Sequence, residues 1–187
     1  MSEENQPPKP SLPNLIWIDL EMSGLDPDKC AILEIACIVT DGELKELGEG
    51  IDLVIHQPDP VLAAMDEWCT RHHGQSGLTD AVKSSTILLR AAELRTIEYL
   101  KRVTNKGQSP LAGSSVSHDR RFIDKYMPDL AAWLHYRTID VSTVKELVKR
   151  WAPNVEMPTK KNTHRALDDI RESIDELRYY REHAFVR

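Results

Sequence analysis

The chain has 187 residues, of which 41% are hydrophobic, and its formal net charge is −6. This length allows one sizeable hydrophobic core but is short for two, so we expect one folded domain. The negative charge excludes a protein that holds long nucleic acids through many Lys and Arg contacts with phosphates. No apolar run reaches the about 18 residues that a membrane span needs, so we expect a soluble cytoplasmic protein without membrane association.

The N-terminal segment, residues 1–13, is polar and rich in proline. It lacks the apolar stretch of a secretory signal. We therefore predict a disordered tail over residues 1–13 and a single domain over residues 14–187.

Three apolar runs at the start of the domain are typical of buried β-strands, because they are short and rich in β-branched residues. They cover Leu15–Leu20, Ala31–Thr40 and the residues near Ile51–Ile55. The Asp41-Gly42 pair favours a turn between the second run and the third. We therefore predict an antiparallel meander.

The remainder of the chain alternates between helical and strand patterns. Apolar residues at helical spacing predict a helix over Ser85–Val103, and a Gly- and Pro-containing segment ends it. The patterns that follow predict strands over Leu111–Ser114 and Tyr136–Asp140, and helices over Asp119–Tyr126, Thr143–Trp151 and about Thr163–His183. Together these elements imply an α/β fold, with a mixed five-stranded sheet flanked by helices.

Two carboxylates lie two positions apart in the first predicted strand, in the segment IWIDLEM. Side chains two apart in a strand face the same way, so Asp19 and Glu21 project together. Burying two unpaired carboxylates is costly, and a hard cation such as Mg²⁺ bound between them offsets that cost. Taken alone, the pair is more often a set of solvent-facing polar residues at a strand end.

Two more aspartates and a histidine lie near predicted helix starts. Asp119 follows a strand, at the rim where open α/β sheets bind ligands, but Asp119 and Asp169 taken singly are ordinary helix-start aspartates. His164 and Asp169 would be about 140° apart on one helix, so they serve one site only if His164 precedes the regular turns. A histidine pKa suits general-base catalysis, although a lone histidine here is more often solvated.

The combination of these residues with longer segments resembles the oligoribonucleases, which are DEDDh 3′–5′ exonucleases with an RNase H-like fold. The segments that carry the resemblance are IWIDLEMSGL, DEWC, HDRRF, HYRTIDVSTVKEL and HRALDDIRESIDELRYYREH. The resemblance implies two divalent cations, Mg²⁺ or Mn²⁺, with His164 as the general base. The metal ligands that it implies are Asp19, Glu21, Asp119 and Asp169. The family's spacing between His and Asp selects Asp169 rather than its neighbour Asp168.

The resemblance also implies contacts with the substrate. Leu25 and Trp68 are expected to pack against its bases, although an isolated tryptophan is more often core. The residues expected to contact its terminal 5′ phosphate are Ser115, Arg137, Ser142 and Thr143. The alternative for Arg137 is a surface ion pair. Tyr136 and His73 are expected to reach the active site of a neighbouring subunit, which implies a homodimer.

The expected activity is the hydrolysis of short oligoribonucleotides, dinucleotides especially, to 5′-mononucleotides from the 3′ end by two metal ions. A cap on the 5′ phosphate limits substrate length, in agreement with an acidic chain that holds few phosphates. The alternatives are a DEDDh exonuclease that acts on longer RNA or DNA in proofreading or deadenylation, and a catalytically silent binding module. Substrate length separates the first two functions, and metal-dependent activity excludes the third.

Overall fold

The structure is a computed structural model that describes residues 12–158 and 165–185. Its centre is one five-stranded sheet with the order β3-β2-β1-β4-β5. The strands are β1 (Leu15–Met22), β2 (Ile32–Thr40), β3 (Ile51–Val54), β4 (Leu111–Gly113) and β5 (Thr138–Asp140). The first three pair antiparallel, whereas β4 runs parallel to both β1 and β5. The predicted meander and mixed sheet are confirmed.

Helices connect and cover these strands. They are α1 (Asp59–Ala63), α2 (Glu67–Gln75), α3 (Leu78–Ser84), α4 (Leu89–Leu100), α5 (Ser117–Tyr126), α6 (Pro128–Ala131), α7 (Val141–Trp151) and α8 (Ala166–His183). Over the described ranges, none of them has both the length and the apolar character that crossing a membrane requires.

One helix boundary differs clearly from the sequence prediction. The helix predicted over Ser85–Val103 begins at Leu89, because Ser85 is tied to the sheet instead. Its hydroxyl donates a hydrogen bond to the carbonyl oxygen of Val54 at 2.6 Å and accepts one from the backbone of Ile87 at 3.1 Å. Such side-chain bonds compete with helix formation, and here they hold the connecting chain extended.

Two predictions fall wholly or partly outside the described residues. The predicted tail covers residues 1–13, of which only 12 and 13 are described. The last helix was expected from about Thr163, and α8 is observed from Ala166, with Arg165 at its N-cap. Thr163 and His164 belong to the segment 159–164, which the structure does not describe.

The two faces of β1 pack in two different hydrophobic cores. Ile16, Ile18 and Leu20 face a core that also contains residues of α4 and α5. The intervening side chains face the opposite side, where Trp17 packs in a second core with Ile170 and other residues of α8. The carboxylates of β1 share the alternation of Trp17 and therefore lie on the face that α8 covers.

Candidate active site

Three carboxylates converge on the face of β1 that α8 covers. Asp19, Glu21 and Asp169 each offer one oxygen, and these oxygens lie within 4.8 Å of one another. Asp169 reaches the group because it lies in the first turn of α8. In an octahedral Mg²⁺ site, ligand oxygens are about 3 to 4 Å apart. The observed spacing therefore fits a hard cation after small side-chain movements.

The fourth predicted ligand, Asp119, lies beside this group. Its side chain is buried in the first turn of α5, and one carboxylate oxygen accepts a hydrogen bond from the backbone N–H of Leu20 at 3.0 Å. Leu20 stands between Asp19 and Glu21 in β1, so this bond holds Asp119 level with both. The structure therefore brings all four predicted carboxylates to one end of β1.

The electrostatics of this cluster indicate that it is incomplete without a positive charge. Burial raises the pKa of Glu21 to about 8 and that of Asp119 to about 7. Burial, followed by the charges of Asp119 and Glu21, raises the pKa of Asp19 well above its ordinary value. Carboxylates that resist ionisation together become stable anions when a divalent cation lies between them.

These raised pKa values predict that the metal-free protein loses stability as the pH increases. In the folded state the carboxyl of Glu21 keeps its proton up to about pH 8, whereas its ordinary pKa is 4.5. The resulting stabilisation is fully present below about pH 4.5 and disappears as the pH rises through about 8. We therefore expect Mg²⁺ to raise the melting temperature more at about pH 8.5 than at about pH 5.5, where protons compete with the cation.

Thermal unfolding in EDTA and in Mg²⁺, at both pH values, measures this effect. Because other groups also titrate, the wild-type chain is compared with Glu21→Gln, which removes one of the shifted carboxyls. The variant should lose less stability with pH in EDTA and gain less from Mg²⁺. Identical pH profiles for the two proteins would contradict the assignment.

A pocket of about 440 Å³ opens next to Glu21, and both Leu25 and Trp68 line it. Leu25 is 62% exposed and Trp68 is 51% exposed, so neither is a core residue. The indole of Trp68 stacks on His72, with ring centroids 3.8 Å apart. Two exposed apolar side chains at the edge of a pocket beside carboxylates are well placed to stack on nucleobases.

The position of His73 differs from the sequence-based expectation. It was expected to reach a neighbouring subunit, but its side chain is buried beside the cluster of its own chain. Its Nε2 donates a hydrogen bond to the carbonyl oxygen of Met22 at 2.9 Å, and its Nδ1 lies 3.9 Å from a carboxylate oxygen of Glu21. His73 and Cys69 are the buried residues of α2, and both line the same pocket as Glu21 and Met22 at the end of β1.

Two of the residues expected to contact a phosphate meet where β4 and β5 end. The hydroxyl oxygens of Ser115 and Ser142 are 3.1 Å apart. Asp140 holds this arrangement, since one of its carboxylate oxygens accepts hydrogen bonds from the backbone of both serines at 2.9 Å. Thr143 is the next residue and is exposed in the first turn of α7. A helix N-terminus with hydroxyl groups is a suitable environment for a phosphate.

Arg137 and Tyr136 lie away from these hydroxyl groups. Both precede β5, whereas Ser142 follows it, so their backbones lie at opposite ends of this strand. Both side chains are exposed, and the guanidinium carbon of Arg137 lies 5.1 Å from the centroid of the Tyr136 ring. Within the described part of the chain, no hydrogen bond joins Arg137 to Ser115 or Ser142.

One charged pair close to the site was not predicted from the sequence. Glu34 is completely buried in β2, directly opposite Glu21, and it forms an ion pair with Arg165 at 2.7 Å. The available signal was a single acidic residue within the apolar run AILEIACIVT. An acidic side chain in a strand that is buried along its whole length needs a partner.

Comparison with known proteins identifies the family. A family model described as exonuclease, RNase_T, matches residues 16–177. A protein of Marinobacter nauticus named oligoribonuclease is 58% identical over 172 residues, which are 91% of this chain and 96% of that protein. An oligoribonuclease of Pasteurella multocida is 60% identical over 171 residues, 91% of this chain and 93% of that protein. The chain belongs to the oligoribonuclease family of exonucleases.

Solved structures show the same fold at much lower identity. Exonuclease I of E. coli in complex with a dA16 oligonucleotide is similar with a TM-score of 0.72 and 15% identity, over 92% of this chain and 41% of that chain. Exonuclease I of Methylocaldum szegediense gives a TM-score of 0.69 and 21% identity, over 91% and 41%. The chain thus spans about two fifths of these enzymes. The predicted RNase H-like fold and the predicted family are both confirmed.

Proposed function

We propose that this protein is a metal-dependent 3′–5′ exoribonuclease that degrades short oligoribonucleotides, dinucleotides especially, to 5′-mononucleotides. The observation that carries the proposal is the convergence of Asp19, Glu21 and Asp169, with Asp119 beside them. An open pocket with exposed apolar side chains adjoins this cluster and offers room for a nucleobase. The family of the chain supports the same reaction.

The four carboxylates fit the binding of two divalent cations. When bound, such cations supply a polarised water and stabilise the attacking and leaving oxygens of a phosphodiester. The chain itself holds the carboxylates in place through β1, the first turn of α8 and the bond between Asp119 and Leu20. An oxygen-only ligand set accepts both Mg²⁺ and Mn²⁺.

We assign the proton transfer to His164. Its imidazole takes the proton of the attacking water, for which a pKa near the working pH is suited. His164 immediately precedes Arg165, the N-cap of the helix that carries Asp169. The assignment rests on the family resemblance and on this adjacency in sequence.

The proposed preference for short substrates rests on the net charge and on a hydroxyl cluster, which consists of Ser115, Ser142 and Thr143. With a net charge of −6, the chain suits a substrate that has few phosphates to hold. We propose that Ser115, Ser142 and Thr143 bind the terminal 5′ phosphate at the start of α7. A phosphate site at a fixed distance from the scissile bond limits the number of nucleotides that fit between them.

We further propose that the protein acts as a homodimer. Tyr136 is 74% exposed and lies beside Arg137, which is also exposed, and both residues precede β5. Aromatic and arginine side chains are enriched where proteins contact one another. We therefore place Arg137 and Tyr136 at the active site of the partner subunit, where Arg137 contacts the 5′ phosphate. A cytoplasmic location stays a prediction.

A length series tests the proposed function. We expect kcat/KM with Mg²⁺ or Mn²⁺ to be highest for a 5′-phosphorylated dinucleotide and lower for a 20-mer. A dinucleotide without its 5′ phosphate is the matched control. Because hydrogen bonds to charged groups contribute about 1.5–3 kcal/mol each, this control should react on the order of 10- to 100-fold more slowly.

Two outcomes of this experiment contradict the proposal. Strong preference for the 20-mer would indicate an exonuclease of longer strands. Release of no mononucleotide with Mn²⁺, together with identical behaviour of Asp119→Ala, would indicate a silent binding module.

A further inference from the structure

Glu34 is a buried carboxylate that none of the predicted roles uses. It is fully inaccessible in β2, and Glu21 is its direct partner in β1. One of its oxygens accepts hydrogen bonds from Nε and Nη2 of Arg165, at 3.2 and 2.7 Å. Its other oxygen accepts a hydrogen bond from the backbone N–H of Ala166 at 3.3 Å. The carboxylate therefore holds both the side chain and the backbone where α8 begins.

A buried ion pair such as this one is a weak source of stability for the sheet. A buried ion pair loses the hydration of both charges, and apolar side chains of similar size are often equally or more stabilising in its place. The flanking residues of β2, Leu33 and Ile35, are apolar and fully buried. Glu34 also adds negative charge next to Glu21, where carboxylates already repel one another. A role beyond stability would explain why a charged pair occupies this position.

The ion pair holds the start of α8, and Asp169 lies in the first turn of this helix. Arg165 is the N-cap of α8, and its own side chain does not cap the helix. Glu34 supplies that cap from β2, and a carboxylate at a helix N-terminus is favoured by the helix dipole. The carbonyl oxygen of Arg165 accepts a hydrogen bond from the backbone N–H of Asp169 at 3.0 Å. A continuous series of hydrogen bonds therefore runs from Glu34 in β2, through Arg165, to Asp169 in the candidate cation site.

A second contact ties the same arginine to β3. Nη2 of Arg165 lies 3.6 Å from a carboxylate oxygen of Asp52, which shares the sheet face of Glu34. Arg165 thus joins the start of α8 to two strands, and its planar group suits two acceptors at once.

We propose that the ion pair of Glu34 and Arg165 is a positioning device that sets Asp169 against the two carboxylates of β1 and so completes the cation site. Neither residue of the pair ligates the cation in this role. The inference rests on the proposed function, because it assigns a role within the same site.

Direct repulsion between Arg165 and the cation leads to the opposite expectation. If this repulsion alone mattered, removal of Arg165 would leave Mn²⁺ binding unchanged or make it tighter. If Arg165 positions Asp169, its removal makes Mn²⁺ binding weaker although a repelling charge has gone. Arg165 also favours ionisation of Glu21, whereas Glu34 opposes it. A variant that removes both charges therefore separates positioning from a change in the protonation of Glu21.

The experiment measures Mn²⁺ binding by calorimetry, and thermal unfolding in EDTA, for the full chain and for Arg165→Gln. We expect the dissociation constant for Mn²⁺ to rise on the order of 10- to 100-fold, as for other groups that orient metal ligands. Arg165→Lys, which keeps the charge but not the planar group, should give an intermediate value. Hydrolysis by Arg165→Gln should recover in part at high Mn²⁺ concentration.

Arg171→Gln is the matched control. Arg171 lies on α8 and pairs with Glu46, beyond the end of β2, at 3.7 Å. Like the pair of Glu34 and Arg165, this pair connects α8 to the part of the chain around β2. It lies at the surface, however, and does not contact the carboxylates of the candidate cation site. The control should keep the dissociation constant for Mn²⁺ within about twofold, since exposed ion pairs contribute little.

The double variant Glu34→Leu with Arg165→Met completes the test, because it removes one charge of each sign. An apolar replacement of a buried ion pair commonly folds. Weaker Mn²⁺ binding by this variant, with a cooperative melting transition, supports positioning. Unchanged or tighter binding by either the double variant or a folded Arg165→Gln overturns it. Failure of the wild-type chain to bind Mn²⁺ and hydrolyse dinucleotides is a separate result that overturns the proposed function itself.

Discussion

Asp169→Asn is expected to lower the turnover of a dinucleotide by about 10³-fold, whereas Asp168→Asn leaves it within about twofold. Asp169 offers a carboxylate oxygen within 4.8 Å of those of Asp19 and Glu21, but Asp168 is exposed on the same helical turn. An amide keeps the shape of the side chain and removes its charge. A bound cation contributes several kcal/mol to stabilisation of the transition state, and each 1.4 kcal/mol corresponds to about tenfold in rate.

The comparison of these two adjacent aspartates needs kcat at saturating Mg²⁺ and thermal unfolding with and without the metal. In EDTA, Asp169→Asn should melt no lower than the wild-type chain, because it removes one member of a group of repelling carboxylates. The gain in melting temperature on adding Mg²⁺ should shrink for this variant alone. Equal losses of activity for Asp168→Asn and Asp169→Asn would contradict the assignment of Asp169, and not Asp168, as the metal ligand.

Local patterns in the sequence were sufficient to predict the central strand of the sheet and the direction of its carboxylates. Alternation in IWIDLEM predicted that Asp19 and Glu21 share a face, and the structure places both on the side of β1 that α8 covers. Side-chain direction in a strand has a period of two whatever the strand packs against. For the same reason the prediction needed no knowledge of distant residues.

Features that depend on residues far apart in the chain could not be predicted in this way. The start of α4 is displaced by the bond of Ser85 to β3, 31 positions away. The ion pair of Glu34 and Arg165 joins residues 131 positions apart. In both cases the local residues favour one structure and a partner elsewhere selects another. Helical spacing after Ser85 does not reveal that its hydroxyl has an acceptor in the sheet.

The family resemblance predicted which residues contact the substrate, but not which subunit supplies each of them. It named His73 as a residue that reaches the partner, but this ring is buried beside Glu21 of its own chain. It grouped Arg137 with Ser142, although β5 separates their backbones. A list of contact residues does not say which subunit supplies each one, because that depends on the assembly rather than on the fold of one chain.

His164→Ala is expected to lower kcat by about 10²- to 10⁴-fold while Mn²⁺ binding stays within about twofold of the wild-type value. A general base acts on the proton of the attacking water, so its loss changes the rate of the chemical step and not the affinity of the carboxylates. The pH profile provides a second measurement. In the wild-type enzyme, kcat should rise with pH as the imidazole loses its proton, and this limb should disappear in the variant.

The matched control for this variant is His183→Ala, at the exposed end of the same helix. It should leave kcat and Mn²⁺ binding unchanged. Weaker Mn²⁺ binding by His164→Ala, in proportion to its loss of rate, would assign the imidazole to the metal instead of the water. An unchanged kcat would remove His164 from the reaction, and the acidic cluster would then require another base. Asp169→Asn and His164→Ala thus test different steps, because the first removes a charge that holds the cation and the second removes an acceptor for the proton.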